Sequence, residues 1–163
     1  MNSITLKDVV FEDMIQYKEP SMYLITSKCD FKCCVEQGLD ISVCQNQPIV
    51  DMPNRDISFN LILSAYQSND IMKAVVLGGL EPMLQFEEVY NLIAYFREHN
   101  DKSTFVIYTG YNKEEIIDKV EKLKNLKNII IKYGRFVSNQ KSHRDNILGI
   151  DLCSDNQYAE KIC

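Results

Sequence analysis

KAVVLGGLEP, residues 73–82, decides how the chain is read. Lys73-Ala-Val-Val-Leu77 is an apolar run of strand length, and it ends in Gly78-Gly79 followed by Leu80-Glu81-Pro82. Two glycines permit positive φ or close backbone approach to a ligand, and exposed amides at such a tip can bind a polar or anionic group. The same letters describe a tight strand-to-helix turn with Pro82 near the helix start. A lone glycine pair leaves both readings open, so the flanking segments must choose.

Downstream, Phe86, Val89, Tyr90, Ile93 and Phe96 fall at helical spacing between Leu84 and His99. Thr104–Tyr108 is the next strand, closed by Thr109-Gly110. Asn112 with Glu115 three residues later is a variant capping box, and Ile116, Ile117, Val120 and Leu123 continue that helix. Asn128–Lys132 reads as a strand, the polar segment Gly134 to Asn146 as a loop, and Ile147 to Leu152 as the last strand. Upstream, Met22–Thr26 is a short buried strand. Asp56 precedes a helix through about Gln67 with Ile57, Leu61 and Ala65 along one face. Strands alternating with helices predict right-handed βαβ units, hence an α/β fold with a mainly parallel sheet and flanking helices. Ligands in such sheets sit beyond the carboxyl ends of the strands.

The chain has 163 residues, which fits a single domain spanning 1–163. Apolar residues make up 45% and charged residues 25%, an ordinary globular balance. No window approaches the roughly 20 apolar residues that span a bilayer, so no membrane association is expected. The N-terminal residues carry neither a basic lead nor an apolar signal core, which predicts a cytoplasmic protein in a reducing compartment. Net charge is −5 with basic residues scattered, which argues against broad binding to nucleic acid or acidic lipid.

The strand at Met22–Thr26 runs into TSKCDFKCCVEQGLDISVCQNQ, residues 26–47, which holds four of the six cysteines: Cys29, Cys33, Cys34 and Cys44. Thiolates are soft ligands that favour iron–sulfur clusters, zinc and copper(I). Zinc would ordinarily want two CxxC-like pairs or added histidines. The two histidines, His99 and His143, sit at a helix end and in a polar loop. Three thiolates with an open fourth position suit a catalytic cluster better than a closed structural site. The plain alternative, small buried cysteines, fits poorly beside Lys28, Asp30, Lys32 and Glu36. Cys153 and Cys163 show no ligand spacing; they read as a core or strand-end residue and a terminal thiol.

Taken in order, the CxxxC of Cys29 and Cys33, the tripeptide Cys44-Gln45-Asn46, the GGLEP segment, Tyr108-Thr109-Gly110-Tyr111 and Ser154-Asp155-Asn156-Gln157 form a recognisable series. From about residue 22 to residue 160 the chain resembles the radical S-adenosylmethionine enzymes, and specifically the small activating proteins of anaerobic ribonucleotide reductase. That family's pattern is CxxxCxxC, with an Asn soon after. Cys29 and Cys33 match its first two ligands, and Cys44, with Asn46 two residues on, matches its third. The usual third position is Glu36, so Cys44 comes eight residues late, and Cys34 competes with it. Adjacent Cys33 and Cys34 would have difficulty directing both thiolates at different irons, which favours Cys44. The residue before the third cysteine is often aromatic in the family and packs near the adenine; here it is Val43.

The resemblance implies a compact partial (β/α) barrel and a [4Fe–4S] cluster on Cys29, Cys33 and Cys44. It implies S-adenosylmethionine as second cofactor, contacted by Gly78, Gly79 and Glu81, with Asn46 and Thr109 at the same pocket. It further implies a glycyl-radical enzyme as partner, an anaerobic ribonucleotide reductase, and an electron donor such as flavodoxin or ferredoxin. The competing class is a non-catalytic iron–sulfur or zinc module of the same fold. Asn156-Gln157 reads either as part of the pocket or partner surface, or as the polar cap of a final helix.

Overall fold

The computed structural model describes residues 1–163. Its main sheet has seven strands: β1 (Ser3–Asp13), β2 (Ser21–Thr26), β3 (Arg55–Ser58), β4 (Ala74–Gly78), β5 (Thr104–Tyr108), β6 (Ile129–Tyr133) and β9 (Tyr158–Lys161), in the order β3-β1-β2-β4-β5-β6-β9. A second, two-stranded sheet pairs β7 (His143–Asp145) with β8 (Ile150–Leu152). The helices are α1 (Lys32–Val35), α2 (Gln47–Val50), α3 (Phe59–Gln67), α4 (Phe86–Glu98) and α5 (Ile117–Leu123). No helix is long and apolar enough to cross a membrane.

The centre of the main sheet, β2-β4-β5-β6, is parallel. Its flanks are antiparallel: β3 and β1 on one side, β9 on the other. The sheet is therefore mixed and open, with β3 and β9 at unpaired edges. Strands added successively in one direction by right-handed crossovers place their helices on one face, and the packing follows that rule. Leu24, Leu77, Ile107 and Ile131 stand in register across the four parallel strands. They belong to the large core that also takes Phe59, Ile62 and Tyr66 of α3, Val89, Ile93 and Phe96 of α4, and Val120 and Leu123 of α5. Burying side chains of this kind stabilises by about 1.5–3 kcal/mol each.

The alternate residues, Ala74 and Val76 of β4, Val106 of β5 and Ile130 of β6, face the other way. They pack against Tyr17 of the β1–β2 loop and against Leu148 and Leu152 of the β7–β8 hairpin. The run AVVL, residues 74–77, is uniformly apolar because β4 is buried on both faces.

The expected strands at 22–26, 73–77, 104–108 and 128–132 all occur within a residue. Four elements differ from expectation. β1 was not anticipated; its Ile4 and Leu6 are fully buried. Residues 55–58 are not helical, because Asp56 and Ile57 pair with Thr5 and Ile4 of β1. The helix starts two residues later, capped by Ser58, whose Oγ accepts from the Leu61 amide at 3.3 Å. That delay shifts the phase of the helix: Phe59, Ile62, Leu63 and Tyr66 are buried and Leu61 is exposed. Within 147–152 the strand is confined to Ile150–Leu152, pairs antiparallel with His143–Asp145, and lies outside the main sheet. The chain ends in β9 rather than a helix, so Asn156 and Gln157 form the turn that leads into an edge strand.

Candidate cluster site

The cysteine loop begins where β2 ends, and three hydrogen-bonded links tie it to the tip of β4. The Thr26 hydroxyl donates to the Gly78 carbonyl at 3.0 Å, the Glu81 amide donates to the Lys28 carbonyl at 2.6 Å, and the Ser27 amide donates to the Gln85 carboxamide oxygen at 2.8 Å. The glycine pair and the cysteines thus share one edge, at the carboxyl ends of the parallel strands. Gly79 sits at φ +80, and a Cβ there would lie 2.6 Å from Ile25 Cγ2. Any other residue would be strained at this φ and would have to push the Ile25 side chain aside.

Glu81 is the hub of this edge. It is buried, and its carboxylate accepts from the Met83 amide at 2.9 Å, the Thr109 hydroxyl at 2.8 Å and the Gly110 amide at 2.8 Å. Burial pushes its carboxyl above the usual range, against the pull of these donors. Glu81 and Thr109 therefore spend these polar groups on each other, locking the tip of β4 to that of β5.

Within the loop, Phe31 takes a left-handed conformation, φ 53, which turns the chain into α1. The Phe31 amide donates to Cys29 Sγ at 3.3 Å. Successive residues on a helix point about 100° apart, and α1 leaves its two cysteines unequally exposed although both border one cavity. Cys34 is buried at 4% exposure, whereas Cys29, Cys33 and Cys44 are all half-buried. Past Gly38 the chain doubles back. Asp40 caps the turn Ile41–Val43 by accepting from the Ser42 amide at 2.9 Å, and Cys44 follows directly. This ten-residue excursion returns Cys44 to the same region as Cys33 and Cys29, close enough for its charge to act on both.

Two adjoining depressions result. One lies among Cys29, Asp30, Glu81 and Tyr111; the other, a cavity of about 270 Å³, is bounded by Cys33, Cys34, Cys44, Asn46, Lys132 and Cys153. They share Cys33, Gly110 and Arg135 as a common wall. Burial, before any other influence, pushes the Cys29 thiol up to about 11 and the Cys33 thiol up to about 12, the latter reinforced by Cys34. Ligation must therefore displace protons from both, which makes metal uptake pH-dependent.

No three His, Cys, Asp or Glu side chains converge on a single-ion position. An iron–sulfur cluster does not need such convergence, because each thiolate binds a different iron. An all-thiol donor set with no histidine nearby fits that group and not an isolated hard cation.

Four site residues carry no motif signal. Arg135 pairs with Glu115 and Glu36; Lys132 is buried with its ammonium donating to the Gly134 carbonyl at 2.9 Å; Gln85 holds Ser27; Cys153 reaches the cavity from the far side of the chain. Their places follow from strand register and chain crossing, which spacing does not encode. Asn46 lines the cavity beside Cys44.

An open α/β sheet with a thiol-lined depression at its carboxyl edge defines a class, the iron–sulfur proteins of mixed α/β architecture. Residues 21–158 match the family described as 4Fe-4S single cluster domain, and the chain belongs to that family. Comparison with curated proteins and with solved structures yields no match.

Proposed function

We propose that this iron–sulfur protein is a radical S-adenosylmethionine enzyme, with a partial-barrel fold, that generates a glycyl radical on an anaerobic ribonucleotide reductase. The observation that carries the reading is the stitching of the cysteine loop to the Gly78-Gly79 tip, with Glu81 joining that tip to Thr109-Gly110. Cys29, Cys33 and Cys44 would hold the [4Fe–4S] cluster, and the burial of Cys34 supports its role as bystander. When bound, the cluster supplies the electron that cleaves the sulfonium of S-adenosylmethionine to methionine and a 5′-deoxyadenosyl radical.

The chain's own part is to orient and to shield. Gly78 and Gly79 bring bare backbone to the edge, Glu81 fixes the distance between two strand tips, and Asn46 faces the cavity. The reduced partner glycine donates the hydrogen atom, and flavodoxin or ferredoxin is the class of electron donor.

Protein reconstituted anaerobically with iron and sulfide, reduced and given S-adenosylmethionine, should release 5′-deoxyadenosine and, with the reductase added, show a glycyl-radical resonance. A chain that holds four irons but cleaves no S-adenosylmethionine would overturn the enzyme reading. One zinc and no sulfide would overturn the cluster as well.

A further inference from the structure

Cys153 is exposed, follows β8 directly, and borders the cavity that Cys33, Cys34 and Cys44 also line. In sequence it is remote from Cys44, by 153 − 44 = 109 positions. The turn that carries it is held firmly. The Cys153 and Ser154 amides donate to the Gln157 carboxamide oxygen at 3.1 and 3.2 Å, and the Gln157 amide group donates to the Gly134 carbonyl at 3.2 Å. The Asn156 side chain donates to the Arg135 carbonyl at 2.7 Å. Gly134, at φ +98, permits the approach: a Cβ there would lie 3.0 Å from the Asn156 carbonyl oxygen. The Cys153 turn is therefore docked on the residues just beyond β6, the strand that carries Lys132, and its position is set by the fold.

We propose that Cys153 is a fourth thiolate ligand, capping the iron that Cys29, Cys33 and Cys44 leave open while no small molecule occupies it. The inference rests on the cluster reading given above. Two observations carry it. Cys33, Cys34, Cys44 and Cys153 border one cavity, and the docked turn fixes Cys153 at its wall. Of the two thiols left over from the three-cysteine set, Cys34 is only 4% exposed and adjoins Cys33 on α1, whereas Cys153 is exposed and comes from a separate segment of the chain. An all-thiolate cluster is closed to solvent ligands, so Cys153 protects the fourth iron until S-adenosylmethionine takes its place.

The test uses the full chain reconstituted anaerobically with ⁵⁷Fe and sulfide, without S-adenosylmethionine, as wild type, Cys153→Ala, Cys153→Ser and Cys34→Ala. Mössbauer spectra and iron content are read before and after mild oxidation with ferricyanide. Wild type and Cys34→Ala should show equivalent iron environments and keep their iron. Both Cys153 variants should show one distinct iron and lose about a quarter of the total on oxidation, as three-thiolate ligation of a four-iron cluster requires. Spectra and losses identical between wild type and the Cys153 variants overturn the proposal and leave the three-cysteine cluster standing. A change in Cys34→Ala instead of Cys153→Ala overturns it in favour of Cys34. A wild type that assembles no four-iron cluster overturns the cluster reading itself, and this inference with it.

Discussion

Arg135 grips Glu115 with both ends of its guanidinium: each terminal nitrogen donates to one carboxylate oxygen at 2.7 Å. Its Nε lies 3.1 Å from Glu36, close but off the hydrogen-bond line, and the guanidinium also stacks over the Tyr111 ring. Glu36 and Lys32 bracket Cys33, and Lys32 pairs with the same Glu115 at 3.1 Å. Tyr111 in turn donates to Asp30, next to Cys29. A single pair thus joins the cysteine loop to the start of the α5 segment and to the residue after Gly134. The charges are complementary: Arg135 and Lys32 meet Glu115, Glu36 and Asp30.

Arg135→Gln should destabilise the fold by about 1–3 kcal/mol, since Glu115 and Glu36 lose their partner but stay accessible enough for water to compensate in part. Arg135→Lys keeps the charge but not the two-pronged geometry, and should lose a large fraction of the same amount. Urea denaturation of the three proteins tests the order wild type, Lys, Gln.

Acid should act through Glu115. The Arg135 guanidinium, with the Asn112 amide and Lys32, holds its carboxyl down at about 2, below the ordinary value of 4.5. A carboxyl depressed in the folded state stabilises at pH above its unfolded value, and that contribution fades as pH falls from about 4.5 to about 2. Melting temperatures of wild type and Glu115→Gln should differ at pH 6 and converge toward the lower end of that window. A constant difference throughout would show that Glu115 acts by shape and not by charge.

The parallel core was legible because β4, β5 and β6 are short apolar runs with glycine or polar closures, and burial on both faces leaves no other use for them. The Asn112 turn was legible for a local reason, the reach from its amide to Glu115 at 2.8 Å. β1 was not, because its hydrophobicity is split between buried Ile4 and Leu6 and exposed Phe11, and one of its two partners, β3, lies about 50 residues away. The α3 boundary misled because Ile57 fits a helical face as well as it fits a strand opposite Ile4; long-range pairing decided. In the site, the cysteines and the glycine pair announced themselves by type and spacing. Arg135, Lys132 and Cys153 did not, since a lone cation or thiol acquires meaning only when another strand carries it to the edge.

Gly79→Ala should cost about 1–3 kcal/mol, combining a left-handed backbone with a methyl placed 2.6 Å from Ile25 Cγ2. Gly38, also left-handed at φ +64, has nothing within 4 Å of a Cβ. Gly38→Ala should therefore cost only the backbone strain, about 1 kcal/mol. Thermal denaturation of the pair separates clash from conformation.

Glu81→Gln retains one oxygen, which suits the Met83 and Thr109 donors that now share Oε1, but it sets an amide nitrogen against the Gly110 N–H. Losing that acceptor costs about 1–3 kcal/mol, offset in part because a neutral side chain is cheaper to bury. Glu81→Ala strands all three donors and should lose more. Amide hydrogen exchange at Gly110 should accelerate in both variants, while exchange in α4 stays slow until global unfolding.

Replacing Cys34 and Cys44 one at a time separates packing from ligation. Cys34 is buried and Cys44 is not, so a purely structural view predicts the larger stability loss for Cys34→Ala, about 1 kcal/mol in metal-free protein, and almost none for Cys44→Ala. The cluster reading predicts the reverse ranking in iron retention. Cys44→Ala should fail to hold four irons after anaerobic reconstitution and gel filtration, and Cys34→Ala should hold them. Because the two measurements rank the variants oppositely, a fold defect cannot imitate the loss of a ligand. Retention of the cluster by Cys44→Ala together with its loss from Cys34→Ala would move the third ligand to Cys34. The ten-residue return from Cys34 to Cys44 would then have to be explained by something other than the cluster.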